Sequence, residues 1–234
     1  MPRIREEILD AVLYLYHTEA DARAGTDAGG SGFLTALPVP GSHDRKAWMY
    51  AVTNLHVAEQ APIVRMNKMD GTQRIFPFAS SDWVPHPDRV TDLAAVNVEF
   101  QNVLDLKFRT LLPDMHFITR EKIQEYKIGV GDETVLVGRF FGRDGVQRNL
   151  PSVRAGMIAQ MPDPNYKIET EVGAQEAYLV ETLSIAGYSG SPVMVWVPIS
   201  RYRRDVPSMT RDFDALLFLG IDCGHLIDYR PVLS

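Results

Sequence analysis

The run Gly187-Tyr188-Ser189-Gly190-Ser191-Pro192 sets a serine between two glycines, a spacing that suits a backbone built around a nucleophile. A serine hydroxyl attacks a carbonyl only when a base takes its proton and N–H donors receive the charge developing on oxygen. Glycines at 187 and 190 let the main chain turn tightly and bring bare amides up to a reacting carbonyl. By itself a Gly-Xaa-Ser-Gly turn is more often an ordinary tight turn. The chemistry needs two further residues: an imidazole within hydrogen-bond reach, and a shielded carboxylate that fixes its tautomer. His56 closes Ala51-Val52-Thr53-Asn54-Leu55-His56, where an apolar strand gives way to a short turn that would present the ring to a cleft. Asp92 opens Asp92-Leu93-Ala94-Ala95-Val96, where the entry to an apolar strand can keep a carboxylate from water. His17, His43, His86 and His116 lack comparable flanks and read as structural or surface residues.

The elements that must hold these residues read mostly as strands. Ile4, Ile8 and Val12 recur at helical spacing, which predicts a short N-terminal helix over Arg3 to Asp10 leading into a strand at Val12 to His17. Ala20 to Gly32 reads as a small, polar loop. Strands follow at Phe33 to Leu37, Trp48 to Thr53 and Leu93 to Val98, with a hairpin of Ile63 to Met66 and Arg74 to Phe78 closed near Asp70-Gly71. Patterning weakens over Phe100 to Pro113, a candidate crossover, and Thr119 caps one short helix ending at Tyr126. Further strands are expected at Glu133 to Phe141, Ser152 to Met161, Glu176 to Leu183, Pro192 to Ile199 and Ala215 to Cys223. Two sets of about six short strands predict an all-β fold of two packed antiparallel barrels. In one domain over 1–234, the barrels would span 11–99 and 114–228, with the crossover at 100–113. Strands do not alternate with long helices, which disfavours a doubly wound α/β fold.

Composition bounds the function. Of 234 residues, 45% are hydrophobic and 23% charged, the balance of a globular chain. A net charge of -6 argues against nucleic acid as a partner, because phosphate contacts need a basic surface. A single cysteine, Cys223, forms no internal disulfide and no multi-cysteine zinc site, so a cytoplasmic protein without metal or other cofactor is expected. The apolar run Ala11 to Tyr16 follows acidic residues and is too short for a leader, and no stretch approaches the ~20 apolar residues of a membrane span.

Four separated motifs then fall in order: Gly30-Ser31-Gly32-Phe33, Thr53-Asn54-Leu55-His56-Val57, Asp92-Leu93-Ala94 and Gly187-Tyr188-Ser189-Gly190-Ser191-Pro192. With them the chain resembles the trypsin-like, chymotrypsin-fold serine proteases, nearest in pattern to the bacterial HtrA type. The order His, Asp, Ser separates that family from subtilisins and α/β-hydrolases. Val130 to Gly138 and Val153 to Ile158 resemble two core strands of the HtrA protease domain, so the likeness runs from about Gly30 to Leu226.

The resemblance implies that Ser189 attacks the scissile carbonyl, that His56 is general base and then general acid, and that Asp92 orients His56. It implies an oxyanion hole of the Gly187 and Ser189 amides. Leu183 would lie at the base of the primary specificity pocket and favour an apolar or small substrate residue, with Cys223, Gly224 and His225 along the wall. Cys223 itself reads as buried or pocket-lining. Secreted members of the family order the oxyanion loop with a new N-terminus that pairs with an aspartate before the nucleophile. Tyr188 occupies that position here, so another contact must do this work. The chain ends soon after Cys223, so no C-terminal PDZ module is expected. The expected partners are a protein or peptide substrate and a regulatory protein. A catalytically latent scaffold that binds protein is the competing reading. An α/β-hydrolase built on Ser189 fails because Ser191 stands where a nucleophile elbow has glycine.

Overall fold

The structure, a computed structural model, describes residues 4–41, 47–88, 90–98, 103–140, 142–170, 173–182, 188–198, 201 and 215–224. The predicted N-terminal helix is a 3-10 segment, Glu6–Ala11, that buries Ile8 and Ala11 and runs straight into β1, Val12–Tyr16. All five β1 side chains are buried because both faces of the strand are covered. Leu13 and Leu15 join one core cluster, while Val12, Tyr14 and Tyr16 join another.

The loop expected over Ala20 to Gly32 is not there. Thr18 Oγ1 accepts from the Asp21 amide at 3.1 Å and starts α1, Glu19–Ala24, which Gly25 ends in a left-handed conformation. Strand β2, Ala28–Pro38, then takes in Gly29, Gly30 and Gly32. Tertiary pairing with β1 overrides the low strand propensity of those glycines.

β3, Ala47–Thr53, is followed by α2, Leu55–Gln60, a helix where the sequence indicated a short turn. The hairpin of β4, Ile63–Asn67, and β5, Gln73–Phe76, forms as expected, and β6, Val84–Pro85, and β7, Ala94–Asn97, complete the first half. These strands make one antiparallel sheet in the order β5-β4-β1-β2-β3-β7-β6.

Across the expected crossover, the Leu111 amide donates to Leu34 O at 2.8 Å, and a short α3, Pro113–His116, follows. Thr119 caps α4, Arg120–Tyr126, as its sequence indicates, accepting from the Lys122 amide. The second half holds β8, Glu133–Gly138; β9, Ser152–Gln160; β10, Ile168–Thr170; β11, Gly173–Gln175; β12, Leu179–Thr182; β13, Pro192–Val197; and β14, Ala215–Ile221. Five of them form an antiparallel sheet ordered β12-β9-β8-β13-β14, with β10 and β11 as a separate ribbon. The fold is therefore mostly β with antiparallel sheets, as expected, and the strands of the described residues divide seven to five between the main sheets instead of evenly.

The two sheets meet over a shared core in which Tyr14, Phe33 and Leu111 pack with Val135, Val137 and Met194. Phe218 of β14 anchors that seam, its ring centroid 4.7 Å from Phe33 and 4.6 Å from Phe117. A buried arginine adds a polar tie. Arg65 of β4 lies 4.6 Å from the Tyr16 ring centroid and donates to Asn149 Oδ1, Ala22 O and Gly145 O. It thereby fastens the segment after β8 onto the first sheet. No described helix is long and apolar enough to cross a membrane.

Candidate active site

The first sheet sets two of the candidate residues side by side. In the antiparallel pairing of β3 with β7, Thr53 stands opposite Ala94, so the chain leaving β3 runs past the chain entering β7. His56, in the first turn of α2, thus meets Asp92, two residues before β7. The contact is a two-point clamp: Asp92 Oδ2 lies 2.6 Å from His56 Nδ1, and Asp92 Oδ1 accepts from the His56 amide at 3.0 Å.

Burial pushes the Asp92 carboxyl up, but hydrogen bonds from the His56 ring and amide and from the Leu55 amide outweigh it and hold the group below the usual carboxylate range. An ionised carboxylate only accepts, so Nδ1 carries the proton and Nε2 faces away from Asp92. The Asp92 side chain is 7% exposed and that of His56 40%, so the pair is shielded at the carboxylate and open at the ring.

Asn54 tightens the arrangement. It sits at the helix N-cap, but its side chain makes no cap bond; Nδ2 donates instead to Asp92 O at 3.0 Å. Asn54 and Thr53 are both fully buried, and Thr53 Oγ1 donates to Ser31 O at 2.7 Å.

Ser31 is where the two halves join. Its amide donates to Ser189 O at 2.9 Å, its carbonyl accepts from Thr53, and its hydroxyl accepts from the Arg139 amide at 3.1 Å. One buried serine of β2 thus touches the Ser189 turn, the strand that leads to His56, and the segment after β8. Two glycines make this approach feasible. A Cβ on Gly30 would sit 2.7 Å from Val57, the neighbour of His56, and 3.0 Å from Ser189 O. Gly190 has φ +82°, and a Cβ there would meet Ser31 O at 1.9 Å and Thr53 Oγ1 at 2.3 Å.

Ser189 itself is half-buried in a tight turn in which the Ser191 amide donates to Tyr188 O at 2.8 Å and the Gly190 amide to Asp222 O at 2.9 Å. The second contact follows from the antiparallel pairing of β13 with β14, which the sequence indicated. It brings Asp222, Cys223 and Gly224 to the same end as Ser189.

Cys223 is exposed, against the buried alternative of its reading and not against the pocket-lining one, because it lies beyond the last paired residue of β14. Desolvation of the sulfur by the surrounding chain, then the carboxylates of Asp222 and Asp92, push its thiol up. Gly224 is also exposed. Gly187, Leu183 and His225 lie outside the described residues. So does His43, whereas His17 Nδ1 bonds Gln60 O at 2.8 Å and His116 Nδ1 accepts from the Leu112 amide at 2.9 Å.

Among the described residues, no group of three or more His, Cys, Asp and Glu is placed to hold a metal ion. Sequence reasoning passed over Thr53 and Asn54 as individual contributors, although both stand directly before His56. It used Ser31 only as part of a motif, and it missed Arg154, whose side chain reaches Tyr188 Oη from β9.

Several solved structures are similar to this chain. An HtrA-type protease, AlgW with a tripeptide, matches at 18% identity and a TM-score of 0.48 over 80% of this chain and 48% of that one. The same protease with a decapeptide matches at 17% and 0.45 over 82% and 47%. Deg5 matches at 16% and 0.49 over 83% of each chain. This chain therefore spans about half the length of the AlgW chains. No family model and no curated protein matches it.

Proposed function

We propose that this chain is a serine endopeptidase that cleaves protein substrates through an acyl-enzyme on Ser189. The observation that carries the reading is the clamp of Asp92 on both the Nδ1 and the main-chain amide of His56, which fixes the imidazole tautomer. With Nδ1 held by a buried ionised carboxylate, Nε2 is the ring nitrogen left to take up a proton, which is what a general base requires. In this reading Nε2 takes the proton of Ser189 Oγ as it attacks the scissile carbonyl, and returns it to the leaving amine as the acyl-enzyme forms. A water, deprotonated by the same nitrogen, then releases the acyl group. The amides of Gly187 and Ser189 receive the oxyanion, each such donor contributing about 2.7–4 kcal/mol to the transition state. Leu183, Cys223, Gly224 and His225 line the pocket for an apolar or small residue. We place the enzyme in the cytoplasm, on its single cysteine, where a regulatory protein would control its access to substrate.

The test is labelling with a fluorophosphonate, which phosphonylates an activated serine. Peptide mapping should find the label on Ser189 in the wild type and none in His56→Ala. A folded wild-type preparation that takes no label at Ser189 and cleaves no denatured protein would overturn the proposal. Mapping of new protein termini in cells carrying wild type or Ser189→Ala would then identify the substrate.

A further inference from the structure

The serine chemistry makes no use of the Tyr188 phenol, yet Tyr188 is fully buried and immediately precedes Ser189. Its ring is gripped from the second sheet. Arg154 Nε donates to Tyr188 Oη, and the Arg154 guanidinium carbon lies 4.1 Å from the centroid of the same ring. The far side of the arrangement is Phe140, whose ring centroid lies 5.0 Å from that carbon. Ser152 Oγ is 3.4 Å from Tyr188 Oη. Ser152 and Arg154 are two apart on β9 and so share a face, and they stand opposite Gly138 and Leu136 of β8, whose continuation carries Phe140.

We infer that Arg154 is a positioning residue for Ser189, acting through Tyr188 as the element that orders the nucleophile turn. The inference rests on the reading of Ser189 as nucleophile. Its physical basis is the planarity of one peptide bond. The Tyr188 carbonyl and the Ser189 amide lie in a single plane. The carbonyl accepts from the Ser191 amide at 2.8 Å, and the amide is a proposed oxyanion donor. A ring fixed at Tyr188 sets the tilt of that plane, and with it the aim of the donor. A guanidinium suits the task because its delocalised charge lies over the ring while its Nε–H donates to the hydroxyl. The ammonium of a lysine is a compact point charge without a fixed fork of donors. This contact takes the place of the N-terminal pairing that Tyr188 rules out.

The test uses Arg154→Met, Arg154→Lys and Tyr188→Phe in the full chain. It reads the rate of Ser189 labelling, kcat and KM on a peptide ester, and hydrogen exchange of individual amides. Arg154→Met should lower kcat and labelling about 30-fold with KM within about 2-fold, because the lost aim matters only in the transition state. Arg154→Lys should fail to rescue it. Tyr188→Phe keeps the stacked ring and should lose about 5-fold, and the double variant should be no slower than Arg154→Met alone. In Arg154→Met the Gly190 and Ser191 amides should exchange about 10-fold faster while those of β13 keep their protection.

Full rescue by lysine, additive losses in the double variant, or unchanged exchange at Gly190 and Ser191 would each overturn the inference. If the wild type takes no label, the nucleophile reading falls, and the exchange measurement alone decides whether Arg154 orders the turn. If Arg154→Met does not fold, Arg154→Lys and Tyr188→Phe decide: wild-type labelling of Ser189 together with wild-type exchange at Gly190 and Ser191 in both would overturn the inference.

Discussion

His56 and Asp92 are joined within a single sheet, whereas Ser189 is held in place by contacts from several elements. His56 and Asp92 owe their meeting to the β3–β7 register, which sets the ends of two paired strands beside each other. Asp92 then accepts two hydrogen bonds from one residue, the amide and the ring Nδ1 of His56. The Ser189 turn has no strand partner of its own. It rests on Ser31 from β2, on Asp222 beyond β14, and on the Arg154 grip on Tyr188. The His56 side, the proposed base, is thus determined locally by sheet geometry, and the Ser189 side, the proposed nucleophile, by agreement among distant segments. An element held in this second way can be ordered or released by small changes at its supports, because no ladder of backbone bonds resists the shift.

The comparison can be broken most severely on the base side. Asp92→Asn should keep the fold yet lower kcat by about 10^4, because the amide offers Nδ1 no charge and the ring loses its fixed tautomer. Kinetics on a peptide ester, with circular dichroism to verify the fold, would measure this; a loss below about 10-fold would show that the clamp is not part of the chemistry. The nucleophile side is tested next by Gly190→Ala. Its φ of +82° and the 1.9 Å approach of a Cβ to Ser31 O leave no room for a methyl group. The turn should shift and stability fall on the order of 3 kcal/mol, read by urea unfolding. Labelling of Ser189 should fall with it, while the His56 ring resonances, reporting the Asp92 contact, should stay in place. The mildest change probes the join itself. Thr53→Val removes the donor to Ser31 O and leaves that buried carbonyl short of a partner, for a loss of about 1–2 kcal/mol and a lowered Tm. A neutral Thr53→Val would mean that the two sides are coupled by packing alone.

Much of this was legible in the residues. The short alternating strands and their punctuation by glycine, proline and aspartate announced an antiparallel all-β chain, and Thr119 announced its helix by a capping side chain. The Ile63 to Phe78 hairpin was likewise local, closed by a turn whose residues favour it. Misreadings came where tertiary contacts outweighed local preference. Gly29, Gly30 and Gly32 look like a loop but lie in β2, held there by pairing with β1, and as glycines they admit Ala61, Val57 and Leu13 at close range. Cys223 reads as buried or pocket-lining, yet the residue is exposed, because it lies past the last paired residue of β14.

Arg154 had no local signature at all. Its neighbours in sequence mark a strand, and only the β8–β9 pairing and the burial of Tyr188 give it a task. Residue types and chain order by themselves determined which side chains could do the chemistry, because reactivity belongs to functional groups and their immediate neighbours. The tertiary structure alone decided that Asp92 meets both ring and amide of His56, that Ser31 binds three segments, and that Arg154 holds Tyr188. Each of those contacts joins residues far apart in the chain, and only strand register and core packing fix their distance.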